Sequence, residues 1–494
     1  VSKHAATVPF ITVQLAPSDP RALYRQLYDA LRIAILDGRL AAGCQFPASR
    51  ALARQLGVSR FTVVSAYEQL LAEGFIHGTV GSGTFVSAEL PGVGRDRDRA
   101  DPASAANWRQ PHLSHRGLHL AATRLTALPE DGSPRAFRPG QPALDQFPAA
   151  IWARIAARLY RHPARALLTY GDIAGYRPLR EAIAGYLRGA RAVVCDPEQV
   201  VIVSGAQQAL DLAVRVLLDP GDPAWVEDPG YPGARAALQG AEAMVVPVPV
   251  DAEGLDVAKG AHLQPDARLA YVTPSYQYPL GVTMSLARRL ALLDWARSVG
   301  AWILEDDYDS EFRYAGHPLA ALAGLDTGSQ VIYMGTFSKV LFPALRLGYL
   351  VVPSAVVEAF VRARAVVGRH APTFEQAVLA EFISGGYFAR HIRAMRNLYQ
   401  ERQAVLVESA KSDLQGLLHV PSSGAGMHLI GWLDPGGDDR AAASCAAVLG
   451  IEVPPLSQHV LSASVPPGLL LGYAALEPKE IRAGIRVLAR ALRA

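Results

Sequence analysis

Near the start of the chain, apolar residues recur at helical spacing. From Arg21 to Leu36, Leu23, Leu27, Leu31 and Ile35 return every fourth residue, which predicts one buried face of a helix. Gly38 stops it. A shorter segment beginning at Ser49, SRALARQLG, sets Leu52 and Leu56 one turn apart and ends at Gly57, a residue suited to closing a helix. Ser59 then caps SRFTVVSAYEQLLAEG, with Val58, Val63, Tyr67 and Leu70 expected on the core side. FIHGTVGSGTFV follows, alternating short β-type runs with glycines as a hairpin does.

The periodicity then lapses. GVGRDRDRADPASAANW mixes small residues, proline and charges that nearly cancel, and reads as a solvated linker. From Phe137 onward, helical segments alternate with continuous apolar runs: VVIVSG, PAWVEDPG, AEAMVVPV, LAYVTPS, AWILEDDY, QVIYMGTFSK and LGYLVVP. Such runs between helices predict a largely parallel sheet covered on both faces. From about Arg364 the chain is helical, then mixed α/β to the amphipathic EPKEIRAGIRVLARALR. The expected organisation is α/β, with a compact domain over 20–88, a linker over 89–136 and a large domain over 137–494.

Composition narrows the function classes. A chain of 494 residues exceeds one ordinary hydrophobic core, and 50% hydrophobic with 19% charged residues excludes a mainly disordered protein. The net charge of +3 means that any nucleic-acid site is a local patch. Cys44, Cys195 and Cys445 lack paired spacing, so neither a disulfide framework nor a metal site is expected. VSKHAATVPFITVQL has no long apolar core of a signal peptide, and no run approaches a membrane span. These features predict a cytoplasmic protein with no membrane partner.

A helix, a turn through Gly57-Val58 and a second helix have the order of a helix-turn-helix, whose second helix points its N-terminus into the major groove. Ser59, Arg60, Phe61 and Thr62 stand at that leading end, Arg50 and Arg54 lie on the preceding helix, and Gly81, Ser82 and Gly83 form a wing tip. Guanidinium groups match phosphates and guanine edges bidentately. Two helices about a glycine turn also occur in small protein-binding domains; the basic leading end and the wing favour double-stranded DNA. The stretch from Tyr24 to Val86 resembles the GntR-type winged helix-turn-helix, with ILDGRL, PASRALARQLGVSR, TVVSAYEQLLAEG and GSGTFV in that family's order. Phe46 stands where leucine is usual, and Phe61 where a small polar residue often sits.

A second chemistry lies in GTFSKVLFPALRLGY. A lysine flanked by small hydroxyl residues, with an arginine two turns on, suits pyridoxal 5'-phosphate. Lys339 would be the Schiff-base lysine, and Thr336, Ser338 and Arg346 would serve the phosphate. A lysine in apolar surroundings is also often a surface residue with its stem laid on apolar neighbours. The other parts follow the same logic. Asp306 of ILEDDYDSEF, just past a strand, would keep the pyridine nitrogen protonated, and Tyr308 would donate to the ring hydroxyl. Gly205 and the amides of Ala206 and Gln207 open a helix toward the phosphate, and Tyr231 would stack on the ring.

Together these residues resemble fold-type-I aminotransferases from about Phe137 to the C-terminus, a large parallel-sheet domain plus a smaller C-terminal α/β domain. The two regions in one chain resemble the MocR/GabR subfamily of GntR regulators. That resemblance implies an operator-binding, pyridoxal phosphate-binding, head-to-tail homodimer in which Tyr170 reaches the partner's phosphate. Departures narrow it. Tyr278 and Leu280 in SYQYPLG replace an asparagine that meets the ring oxygen and a threonine, and Leu470 in PPGLLLGYAAL replaces an arginine that grips a substrate carboxylate. The expectation is therefore a sensor and not an enzyme. Its signal would be pyridoxal phosphate itself, through an aldimine on Lys339, as in regulators of vitamin B6 synthesis. The alternatives are a sensor of an amine, taurine or another amino compound, or a true aminotransferase with an accessory nucleic-acid module.

Overall fold

The apolar stripe near the N-terminus forms α1 (Leu23–Leu36) in a computed structural model that describes residues 15–16, 19–79, 82–88, 112–122, 136–315 and 319–493. Leu27, Leu31 and Ile35 are buried as the spacing requires. Leu23 is 39% exposed, because it is the first residue of the helix and overhangs the core. α2 (Ser49–Leu56) closes on Gly57 in the left-handed conformation, at φ 65°. α3 (Arg60–Ala72) starts where Ser59 Oγ accepts the Thr62 amide at 3.1 Å, a cap that contributes about 1 kcal/mol.

Strands β1 (Ile76–Thr79) and β2 (Gly83–Val86) pair antiparallel, Ile76 opposite Val86. A feature absent from the sequence pattern joins them: residues 43–46 pair with β2, the Phe46 amide donating to Thr84 at 2.7 Å and the Val86 amide to Cys44 at 2.9 Å. Phe46 is accommodated edge-on against Tyr67, ring centroids 5.2 Å apart. Its replacement of leucine thus fills the core of this unit.

The chain divides into two compact units at residues 112 and 113. In the second, the first described element is α4 (His115–Ala122), which falls inside the segment expected as linker. At two turns it is too short for apolar spacing to stand out. Arg116 pairs with Glu242 at 3.2 Å, and Leu120 approaches the helix Pro232–Gly240 so closely that a Cβ on Gly240 would come within 2.8 Å of it.

The apolar runs form β3 (Val200–Val203), β4 (Pro223–Asp228), β5 (Met244–Asp251), β7 (Leu269–Val272), β8 (Trp302–Asp307), β9 (Val331–Thr336) and β10 (Gly348–Val351), with β6 (Gly254–Leu255) extending one edge. The sheet order is β3-β10-β9-β8-β7-β4-β5-β6. Strands β4, β5, β7, β8 and β9 are parallel, but β10 runs antiparallel to both β3 and β9. The sheet is largely parallel as expected, with β10 and the short β6 as antiparallel exceptions. A run buried on both faces reads the same in either direction, and the short link from Thr336 to Gly348 is a reversal and not a helical crossover.

Helices Ala206–Leu217, Pro232–Gly240 and Val357–Gly368 bury one face of the sheet, and helix Leu286–Val299 covers the other, where Trp295 stacks on Trp225 at 3.7 Å. A smaller α/β part follows, built on the long helix Tyr387–Asp413, the pair β11 (His428–Trp432) and β12 (Gly468–Gly472), and the helix Pro478–Arg493. The carboxyl ends of β4, β7, β8 and β9 open on one crevice, where ligands gather in open α/β sheets.

Candidate functional site

That crevice contains a cavity of about 220 Å³, lined among others by Lys339, Asp306, Tyr308, Thr336, Ser338 and Arg346. Lys339 leaves the end of β9 and its Nζ donates to the Gly140 carbonyl at 2.9 Å. Gly140 has φ +73°, and a Cβ there would stand 2.6 Å from the Lys339 nitrogen, so glycine is needed beside the lysine. Burial lowers the proton affinity of Lys339, opposed by the Asp309 and Asp306 carboxylates. A buried amine so biased is a better nucleophile near neutrality.

Asp306 sits at the carboxyl end of β8 and is 4% exposed. Tyr271, on neighbouring β7, donates to its Oδ2 at 2.7 Å, whereas Oδ1 is buried without a partner among the described residues. Burial pushes the acid from its ordinary 3.8 to about 7. Removing a carboxylate from water at this cost is stable only if a cation or donor meets it. The Tyr308 hydroxyl is likewise buried and unpartnered. These two orphaned groups face the same cavity as Lys339, and they fit a protonated ring nitrogen and a ring hydroxyl.

The opposite end suits a phosphate. Gly205, at φ +102°, precedes helix Ala206–Leu217, and Ala206 and Gln207 line the cavity with the first-turn amides that a helix leaves unpaired. A Cβ on Gly205 would meet the Arg346 guanidinium at 3.3 Å. Arg346 itself has φ 50°, a left-handed conformation that costs a non-glycine residue on the order of 1 kcal/mol and aims its side chain at the cavity. Ser338 lines the wall, and Thr336 is engaged locally, its Oγ1 accepting the Ser338 amide at 3.2 Å.

Tyr231 and Tyr278 complete the lining, edge to face with centroids 5.8 Å apart. The Tyr278 ring also meets Tyr308, His428 and His459. Burial lowers both histidines to about 4, so neutral rings surround it. Leu470 on β12 is fully buried, packed with Ile430 and Leu456 against Tyr278 and Leu280. Tyr170 is not in this cavity. It is 80% exposed, with the Arg369 guanidinium 4.8 Å over its ring.

Sequence reasoning missed Gly140, Tyr271, Thr273, Met427 and His428, which also line the site. Tyr271 carries a usable signal, since it lies near the carboxyl end of a strand adjacent to that of Asp306. Thr273 follows Tyr271 at the same strand end, whereas Gly140, Met427 and His428 come from distant segments with no motif.

In the first unit, Arg50, Ser59, Arg60, Phe61, Ser82 and Gly83 are exposed and Thr62 is half-buried against Ser59. Phe61 is 78% exposed, an unusual position for a large apolar ring. Gly81 lies outside the described residues.

Residues 137–488 match the family of aminotransferases of class I and II, and residues 23–86 match the gntR family of bacterial regulatory proteins. The chain is 42% identical to the probable rhizopine catabolism regulatory protein MocR of Rhizobium meliloti, over 94% of this chain and 93% of that one. It is 30% identical to the pyridoxine biosynthesis transcriptional regulator PdxR of Corynebacterium glutamicum, over 96% of each. The chain belongs to the MocR/GabR subfamily of GntR regulators. Among solved structures, the second unit is similar to LysN, the α-aminoadipate aminotransferase of Thermus thermophilus, at 29% identity and a TM-score of 0.67, covering 72% of this chain and 92% of that one. LysN was solved with a phosphopyridoxyl-leucine adduct. Members of this subfamily thus join a helix-turn-helix to an aminotransferase-like domain. Among the described residues, no helix is long and apolar enough to cross a membrane.

Proposed function

We propose that this protein is a cytoplasmic transcription regulator that binds operator DNA through its winged helix, carries pyridoxal phosphate on Lys339, and responds to that cofactor. The observation that carries the cofactor reading is the meeting, in one cavity, of a lysine with lowered proton affinity and the orphaned Asp306 oxygen. Pyridoxal phosphate supplies an aldehyde that condenses with an amine. Lys339 would offer that amine, Asp306 would hold a proton on the ring nitrogen, and Tyr308 would donate to the ring hydroxyl. Arg346, Ser338, Thr336 and the amides of Ala206 and Gln207 would hold the phosphate, with Tyr231 and Tyr278 flanking the ring. Tyr170, exposed beside Arg369, would serve the partner's phosphate in a head-to-tail homodimer. Arg50, Arg60 and the wing residues Gly81, Ser82 and Gly83 would contact DNA, with Ser59, Phe61 and Thr62 at the leading end of the recognition helix.

Leu470 sets the effector reading. With an apolar cluster at that position, an amino-acid carboxylate has no cation there to pair with. This supports sensing over transamination, and the name of PdxR, a regulator of pyridoxine biosynthesis, points to the cofactor as signal. A second reading, an effector amine without a carboxylate, draws on the same apolar wall and on the more similar MocR, named for rhizopine catabolism.

The cofactor site is tested by adding pyridoxal phosphate to the full-length protein, reducing with borohydride and mapping the labelled peptide. The label is expected on Lys339; a label elsewhere, or none, overturns the assignment.

A further inference from the structure

The run from Asp306 to Arg313 serves two cavities. Asp306 and Tyr308 line the one described above, whereas Asp309, Ser310, Glu311 and Arg313 line a second, of about 320 Å³, closed on its other sides by Arg191 and Arg396 among others. Its size is at the lower end of small-ligand pockets. Arg191 is fully engaged, donating to Asp307 at 2.6 Å, Ser275 at 2.6 Å and the Leu319 carbonyl at 2.9 Å. The other charges are not. Asp309 is 2% exposed, yet its Oδ2 has no hydrogen-bond partner among the described residues, and neither do Ser310 Oγ and Arg313 Nε. Among the described residues the Glu311 carboxylate accepts only from the Tyr186 hydroxyl, at 2.9 Å, and Arg396 donates from Nε to the Glu311 backbone carbonyl at 2.5 Å.

Two acids and two guanidinium groups therefore line one small cavity without pairing within 4 Å of each other among the described residues. Of the four, Asp309 is buried, and a buried unpaired charge costs several kcal/mol, whereas Glu311 and Arg313 are half-buried and Arg396 is exposed. Here the fold holds them apart. A ligand of one sign would satisfy one set and be repelled by the other. A metal ion is disfavoured on the same ground, and no group of three suitable ligands occurs among the described residues. A molecule carrying both signs satisfies both sets.

We propose that this second cavity binds a small zwitterion of amino-acid size, its ammonium group against Asp309 and Ser310 and its acidic group against Arg313 and Arg396. The cavity has a different lining from the cofactor cavity, although Asp309 also acts on Lys339 through its charge, and its proposed ligand does not depend on the cofactor reading. Desolvation and the neighbouring Asp307 and Glu311 raise the proton affinity of Asp309, and the charge of Lys339 opposes them.

The test is calorimetric titration of the full-length, cofactor-free protein with L-alanine, L-serine and L-aspartate, using n-propylamine and propionate as single-charge controls. Saturable binding of at least one amino acid, one per chain, is expected, with both controls at least about tenfold weaker. Arg313→Gln and Asp309→Asn are each expected to weaken it about tenfold or more. Arg313 is only partly buried, so its variant carries the test if Asp309→Asn fails to fold. The cofactor-loaded protein should bind the same amino acid without change in the absorption of the bound cofactor. Three results would overturn the proposal: no saturable binding of any of the three, equal binding by Arg313→Gln, or a response confined to the loaded protein with altered absorption, which would locate the amine at Lys339.

Discussion

The two units handle their chemistry in opposite ways. In the winged helix the candidate contact residues stand on the surface: Arg50, Arg60 and Phe61 are exposed, and the Ser59 cap is local and satisfied. In the second unit Asp306 and the Tyr308 hydroxyl are buried and left incomplete, although Arg346 is exposed. Asp306 Oδ1 and the Tyr308 hydroxyl lack partners among the described residues, and Arg346 holds an unfavourable backbone angle. A DNA contact surface is solvated until DNA arrives and costs the free protein little. A cofactor cavity must exclude water beforehand, so its incompleteness is a standing cost in stability that the ligand offsets.

The largest expected effect breaks the second unit's chemistry and leaves the first alone. Lys339→Ala should abolish covalent retention of pyridoxal phosphate, read as loss of cofactor absorbance after gel filtration, while the cofactor-free protein still melts as a folded chain. Asp306→Asn should come next, with opposite effects on function and stability. Cofactor affinity should fall by about tenfold or more, whereas the cofactor-free variant should outlast the wild type at alkaline pH. The sign follows from an acid whose folded pKa is raised, from 3.8 to about 7. Its favourable contribution is present below the unfolded value and is lost as pH rises through the folded one. The gap in melting temperature should therefore open between pH 4 and about 7 and close again on acidification. A gap independent of pH would contradict the burial account of Asp306.

Smaller effects sharpen the contrast from the other side. Arg60→Ala should weaken operator binding by about 1–3 kcal/mol, measured by fluorescence anisotropy, with stability unchanged within about 0.5 kcal/mol. Ser59→Ala should instead cost about 1 kcal/mol of stability through the lost cap on the Thr62 amide. If Arg60→Ala destabilised the fold as much as Ser59→Ala does, the picture of a surface free of structural duty would fail.

The parts of the molecule differ in how far the sequence announces them. The helices of the first unit were legible because each has an apolar face and a stop, Gly57 being the plainest. Seven strands of the large sheet were legible as continuous apolar runs, yet the direction of β10 was not, since burial on both faces carries no polarity. Helix α4 was hidden by its brevity. In the cofactor cavity, Lys339, Asp306 and Arg346 stand in local motifs that reflect their chemistry. Tyr271 and His428 reach the same cavity only through strand neighbours far away in the chain, and the left-handed turn at Arg346 leaves no trace in residue type. In the second cavity Asp309, Ser310 and Glu311 share the run ILEDDYDSEF with the cofactor site, whereas Arg396 reaches it on the distant helix Tyr387–Asp413 with no motif of its own.

The central claim is that cofactor on Lys339 changes how the winged helix holds DNA. Once a genome-wide footprint has supplied an operator, its affinity can be measured for wild type and Lys339→Ala, each with and without added pyridoxal phosphate. The account predicts that the cofactor shifts wild-type affinity several-fold and leaves Lys339→Ala unmoved. Equal responses of the two proteins would contradict it.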